Sequence, residues 1–310
     1  MSKKISASDI LEIIKQIENK PDLRPDIMQM LSETKEDYKK AKTLAEHNIV
    51  TEKTNNMVKL VAKVNAIKSW AQDDNEIKKT EMMLNHLFTS PRDWAEQFTD
   101  EELKENPTLE AEQSLQPSLL IELALYRALA SIFGDVVTLN GSMDTEHTTI
   151  INTAIGKMAD LEVEFDNFMI AFEASTSTGG RQYDTETEPV IRHLAKLQND
   201  HHPKPVYGVF IANKIEDSVV DYFLVYHAFH KHPTSKKNIL IVPCTTKQFL
   251  ELYKKMQSSK KSKDELKQFF KDIEQTTNSK KCSKCNIPDL TMQDFQKNCS
   301  DSFDELLKRL

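Results

Sequence analysis

Two acids in the stretch MADLEVEFDNFMIAFEASTSTGGRQ, Asp160 and Glu173, stand on short apolar-alternating runs joined by Asp166-Asn167. Asn and Asp tolerate positive φ, so a two-residue turn there predicts a hairpin in which Phe165 faces Phe168 and Asp160 faces Glu173. That register sets Leu161 against Phe172 and Val163 against Ile170 on one wholly apolar face. The other face carries Asp160, Glu162, Glu164, Met169, Ala171, Glu173 and Ser175. Facing residues have Cβ atoms about 4.5–5.5 Å apart, where like charges destabilise a sheet. A divalent cation between the two acids reverses the sign of that interaction. The alternative is an ordinary acidic edge, with one acid meeting a lysine and the other facing water. Hard oxygen ligands suit Mg²⁺, which polarises a phosphoryl oxygen and supplies a hydroxide-like water for in-line attack on a phosphodiester.

Downstream, STSTGGRQYDTETEPVIRHLAKLQ supplies a hydroxyl-rich loop, the pair Gly179-Gly180, then Gln182 and a helix. Thr187 before Glu188-Pro189 is one helix start; Thr185 with Glu188 as a capping box is another. Arg192 falls four residues after Glu188 and can pair with it. In the functional alternative, Glu186 or Glu188 completes a metal shell or orients water, while Arg192 and His193 meet phosphate.

These residues need a sheet and helices to hold them. PSLLIELALYRALASIFGD is apolar on nearly every side, as in a helix surrounded by protein, with Gly134 ending it and Glu122 its one acid before that glycine. Strand-like stretches follow at 159–165, 168–175, 205–212 and 238–243, with helices at 188–199, 216–231 and 245–256. That order predicts an α/β fold with a mixed central sheet flanked by helices. The first 115 residues read as a helical domain of accessory, recognition or partner-binding type. Met57, Leu60, Val61, Val64, Ile67 and Trp70 mark one helix face there, and Ser90-Pro91 and TDEELKE start further helices. Residues 116–253 form the core and 254–310 a basic helical extension. From Lys254 to Lys284, ten lysines stand against four acids. Lys260 and Lys261 are the phosphate candidates of that segment, whose other reading is a solvated lysine-rich helix and loop.

A length of 310 residues suits a core plus a smaller module. The net charge of −7 gives the whole chain a field that repels nucleic acid rather than attracting it. No run of eighteen apolar residues occurs, and MSKKISASDILEII lacks the long apolar core of a secretion signal; no membrane association and a cytoplasmic location are expected. Cys282, Cys285 and Cys299 offer three thiols, either part of a zinc site or reduced and partly buried; Cys244 reads as packing. The histidines of HAFHKH (227–232) and at 201–202 lack an evident further donor.

Residues 159–160 (AD) and 173–175 (EAS) resemble the PD-(D/E)xK nuclease superfamily. The longer series DLEV, EAS, GGRQ and ETEPVIRHL resembles the AlwI-like type IIS restriction endonucleases, over about residues 117–245. That resemblance implies a restriction-endonuclease-like fold and a prokaryotic restriction-modification enzyme that cuts duplex DNA with Mg²⁺. It also implies a recognition subunit or homodimer partner, since the group includes heterodimeric nicking systems with a small cleavage subunit. Asp160, Glu173 and Glu122 become metal ligands, Glu186 or Glu188 a further acid, and Ser175 and Gln182 site-lining residues. Ala159 replaces the usual proline. Ser175 replaces the usual lysine, so a second Mg²⁺ or the downstream glutamate has to activate water. Two competing readings are a non-catalytic interaction subunit on a nuclease-like fold and a structure-selective repair nuclease.

Overall fold

The computed structural model describes residues 29, 32–34, 36–37, 44–89, 101, 115–144, 147, 149–154, 158–229, 238–259, 262–279 and 290–310. The helix starts expected near Ser90-Pro91 and TDEELKE lie outside these apart from Glu101, as do Lys260, Lys261, Cys282 and Cys285. The backbone divides into two units, residues Met1–Lys68 with Met143–Thr149, and Ser69–Ser142 with Ile150–Leu310. The first contains most of helix α1 (Leu44–Gln72), where Met57 and Val61 are buried. Everything below concerns the second unit.

Its centre is a five-stranded mixed sheet in the order β1 (Val137–Leu139), β2 (Leu161–Glu164), β3 (Met169–Ser175), β4 (Val206–Ala212), β5 (Leu240–Thr245). The first three strands are antiparallel, and β3, β4 and β5 run parallel. The β2–β3 register is the expected one, with Leu161 opposite Phe172 and Val163 opposite Ile170. The Phe165 N–H donates to the Phe168 carbonyl at 3.0 Å, closing the turn at Asp166-Asn167. Strand β1 lies outside every expected strand. Two further short strands, Ser142–Met143 and Ile150–Asn152, are not part of this sheet.

Helices cover both faces. Ala159, Met169, Ala171 and Phe210 pack against Val190, Ile191 and Leu194 of α4 (Gly180–Asp200) and Val219 and Phe223 of α5 (Asp217–Phe229). A Cβ at Gly208 of β4 would overlap the tip of the Leu194 side chain, so glycine there lets Leu194 of α4 settle directly on the strand. Ile170, Phe172, Val209 and Val242 face the other way, toward Leu129 of α3 (Pro117–Phe133), Phe249 of α6 (Thr246–Ser258), Phe269 of α7 (Ser262–Ser279) and Phe303 of α8 (Met292–Arg309). Gly134, at φ 74°, follows the last residue of α3 as expected.

Helix α3 is fixed to α2 (Asp74–Thr89) by a buried charge. The Arg127 guanidinium donates to the Glu76 carboxylate and, at 3.4 Å, to the Thr80 hydroxyl, and lies over the Trp70 ring. The segment expected to be a solvated or phosphate-contacting lysine face also packs inward in part. Phe269 and Phe270 of α7 are buried, the Phe270 ring stacks on Tyr207 at 4.7 Å, and Lys263 and Lys267 lie over the rings of Phe165 and Phe168.

One helix boundary differs from expectation. Helix α4 starts at Gly180 after Gly179, whose φ of 63° favours glycine, so Pro189 is internal rather than at the first turn. The hydroxyls read as caps bond backward within the helix instead: Thr185 to the Arg181 carbonyl at 2.8 Å and Thr187 to the Tyr183 carbonyl at 2.7 Å.

Candidate active site

Four carboxylates from four parts of the fold come within electrostatic reach of each other. Asp160 sits immediately before β2, Glu173 on β3, Glu122 on α3 and Glu186 on α4. Burial first, then the charge of Glu173, raises the Asp160 pKa well above the ordinary aspartate range, with Glu186 adding to the shift. Burial, then Glu186 and Glu122, likewise raises Glu173. Burial and the charge of Asp160 push Glu122 up to about 8. The common cause is low-dielectric crowding of like charges, which favours the neutral acids.

Backbone donors hold three of these acids against that repulsion. Asp160 Oδ2 accepts the Ala174 N–H at 2.8 Å, and the Asp160 N–H lowers the pKa of Glu173 by hydrogen bonding to it. The Ala154 N–H does the same for Glu122, whose Oε2 is nevertheless buried with no hydrogen-bond partner. An orphaned buried carboxylate oxygen beside other acids is the donor chemistry that a hard cation satisfies. As the side chains stand, however, no group of three or more His, Cys, Asp or Glu among the described residues is placed to hold a metal ion.

Glu186 is held by hydroxyls. Its Oε1 accepts from Ser175 at 2.9 Å, Ser177 at 3.1 Å and Thr185 at 3.3 Å. Ser175 therefore contacts the downstream acid directly. Of the two glutamates left open by the sequence, Glu186 is the one whose charge acts on Asp160 and Glu173. Glu188 is 61% exposed and pairs with Arg192 at 2.8 Å, the i,i+4 arrangement that the sequence offers.

His193, expected to meet phosphate, turns inward instead: its Nδ1 is 2.7 Å from Glu173 Oε1. Burial, then the charge of Arg192, lowers its pKa. Gln182, expected to line the site, is fully buried and serves as a brace. Its Nε2 donates to the carbonyls of Ser177 at 2.9 Å and Lys214 at 3.0 Å, while its Oε1 accepts the Glu216 N–H at 2.9 Å. With both ends of the amide engaged by backbone, Gln182 has no polar edge to offer a substrate. Glu216 closes the same loop pair by accepting the Gly179 N–H at 3.2 Å. Cys244 and Cys299 are buried free thiols whose pKa values burial raises, and for Cys244 this is the packing position expected.

The family model described as the AlwI restriction endonuclease matches residues 1–252. The chain belongs to the AlwI restriction endonuclease family. AlwI-family membership carries a restriction-endonuclease function, with DNA as the molecule acted upon. Among solved structures, the small subunit (R.BspD6I2) of the heterodimeric restriction endonuclease R.BspD6I is similar at 21% identity. That alignment covers 65% of this chain and 95% of the other, with a TM-score of 0.45. No curated protein matches the chain. The AlwI-family match spans both compact units, and no described helix is long and apolar enough to cross a membrane.

Several residues around the four acids carry no motif signal. Ser177 and Thr185 become informative only once Glu186 is seen between them. Asn140 follows a three-residue strand, too short to show a period of two, although the β-branched run Val136-Val137-Thr138 after a helix-ending glycine is a usable sign.

Proposed function

We propose that this AlwI-family chain is a Mg²⁺-dependent type IIS endonuclease subunit that hydrolyses DNA phosphodiester bonds at the Glu122, Asp160, Glu173 and Glu186 cluster. The observation that carries this reading is the mutual elevation of buried acids combined with the unpartnered Oε2 of Glu122. Folding alone gains nothing from such crowding, because buried like charges are costly unless neutralised or paired. Asp160, Glu173 and Glu122 would hold the ion after small side-chain adjustments. When bound, Mg²⁺ supplies Lewis-acid activation of the phosphoryl group and a water of lowered pKa.

The remaining functions fall to the chain itself. Ser175, Ser177 and Thr185 fix the Glu186 carboxylate so that it can orient the attacking water and accept its proton. His193 fixes the rotamer of Glu173, an outer-shell role common for ring nitrogens beside metal-binding carboxylates. Gln182 and Glu216 hold the loops that flank Glu186. The acidic net charge favours delivery to duplex DNA by a recognition subunit or by homodimerisation, with prokaryotic cytoplasm as the setting. Cleavage of one strand alone would suit a nicking subunit.

Folded Asp160→Asn and Glu173→Gln proteins, assayed on mixed plasmid DNA with Mg²⁺ and with the candidate partner present, are expected to lose nicking and double-strand cutting. Undiminished cutting by either would refute the assignment. A second reading, a non-catalytic interaction subunit, is favoured by the absence of three converging ligands among the described residues. It requires that Mg²⁺ leave the thermal midpoint unchanged, whereas the catalytic reading requires a rise that Asp160→Asn abolishes.

A further inference from the structure

Strand β1 ends at Leu139, and the next residue, Asn140, is joined to the segment that carries Asp160. The Asn140 backbone N–H donates to the Asp160 carbonyl at 3.1 Å. Its side-chain Nδ2 donates to the Ala159 carbonyl at 2.8 Å and to Glu162 Oε1 at 2.6 Å. The register extends the β1–β2 pairing of Leu139 with Leu161 by one residue, but Asp160 itself lies outside the strand.

The two backbone contacts bracket one Cα. The Ala159 carbonyl belongs to the peptide plane before Asp160, and its direction follows φ of Asp160. The Asp160 carbonyl belongs to the plane after it, and its direction follows ψ. Fixing both planes fixes the Cα–Cβ direction of Asp160. The Ala174 N–H then holds Oδ2, so the side chain is set from three sides while Oδ1 remains the oxygen to present to an ion. An amide suits this position because one –NH₂ supplies two donors, here directed to a carbonyl and a carboxylate. Glu162 is also one of the charges that raise Glu173, and the amide draws its carboxylate to the β1 side.

We propose that Asn140 is a positioning residue for the metal ligand Asp160, clamping the peptide planes on both sides of it and thereby setting the affinity of the site for Mg²⁺. This rests on the metal-site reading above. It predicts a specific kinetic signature. Asn140→Ala keeps the backbone donor and loses both side-chain bonds, so the half-saturating Mg²⁺ concentration should rise roughly 10-fold, the lower end for loss of an outer-shell partner. Cleavage at saturating Mg²⁺ should recover to near wild type. Asn140→Asp keeps the shape but replaces donors with acceptors facing a carbonyl and a carboxylate, so it should weaken metal binding further. Asn140→Ser, with one shorter donor, should fall between wild type and alanine.

The test is a Mn²⁺ titration of the full-length chain without DNA, followed by electron paramagnetic resonance, alongside the Mg²⁺ dependence of cleavage. Wild type, Asn140→Ala, Asn140→Asp, Asn140→Ser and Asp160→Asn are compared, with thermal midpoints recorded for each. Asn140 is only half-buried at the end of an edge strand, so these changes are compatible with a folded protein. If Asp160→Asn binds Mn²⁺ as wild type does, the metal-site reading fails first. If Asp160→Asn loses the ion while the three Asn140 variants bind it with wild-type affinity, the clamp is refuted and the metal site stands. A uniform drop in maximal cleavage with no change in metal affinity would also refute the clamp.

Discussion

His193 Nδ1 lies 2.7 Å from Glu173 Oε1, joining the second half of α4 to the central strand β3 at the acid cluster. The ring is partly exposed and the carboxylate is buried, so the contact orients an acid that has little other freedom. If Glu173 holds the proposed ion, His193→Ala should lower single-turnover cleavage by roughly 10- to 100-fold, the usual loss when a partner of a metal-binding group is removed. His193→Gln, which keeps a donor, should lose less. Equal rates for wild type and His193→Ala would remove the histidine from the site.

Gln182 makes its three backbone bonds from a fully buried position. In Gln182→Ala, two carbonyls and one N–H lose their partner together. The expected cost is about 1–3 kcal/mol per group left buried and unpaired, reduced wherever water enters. Urea denaturation should therefore show a lower midpoint, and cleavage should fall as the loops beside Glu186 shift. A Gln182→Ala protein of wild-type stability would show that the brace is dispensable.

Arg127 is 2% exposed and meets Glu76, Thr80 and the Trp70 ring. Removing one partner of a buried ion pair costs about 3–5 kcal/mol, and the 30% exposure of Glu76 places Arg127→Ala toward the lower end. A double replacement, Arg127→Met with Glu76→Leu, should recover much of the loss, because paired apolar groups of similar volume are tolerated there. A double-mutant cycle on chemical denaturation measures both outcomes.

His227 provides the pH dependence. It is 1% exposed, its Nδ1 is 3.1 Å from the Ile239 carbonyl, and its Nε2 has no partner. Burial lowers its pKa below the ordinary 6.5, so the folded protein prefers the neutral ring with the proton on Nδ1. The unfolded chain then binds more protons just below that value. The stability linked to His227 is complete above the unfolded pKa and is lost as pH falls through the folded one. Thermal midpoints should drop as pH falls below the ordinary histidine value of 6.5, and His227→Leu should flatten that drop by removing the linked proton. Parallel pH profiles for the two proteins would contradict the assignment.

The hairpin was legible because alternation and an Asp-Asn turn act locally: Leu161, Val163, Ile170 and Phe172 can share one face in only one register. The four acids were legible as residue types, but their roles depended on which helix face met the sheet. Glu186 and Glu188 differ by two positions on α4, and that rotation sends one toward Asp160 and the other to Arg192. The start of α4 was obscured by Thr185, Thr187 and Pro189, which together imitate a first turn while the Gly179 backbone begins the helix earlier. Gln182 looks like a site residue until Lys214 and Glu216, more than thirty residues later, are seen to occupy its amide. Asn140 had no local signal because its partners lie about twenty residues away across β1 and β2.

The missing side chain at Gly208 has a reach beyond its own strand. It lets Leu194 settle onto β4, one residue from His193 and two helical turns from Glu186. A methyl group there would meet the tip of the Leu194 side chain, which must turn aside or carry α4 with it, and neither response alters a single polar atom. The floor of the sheet is thus a place from which the seat of the helix carrying Glu186 and His193 can be tuned while every acid stays chemically intact.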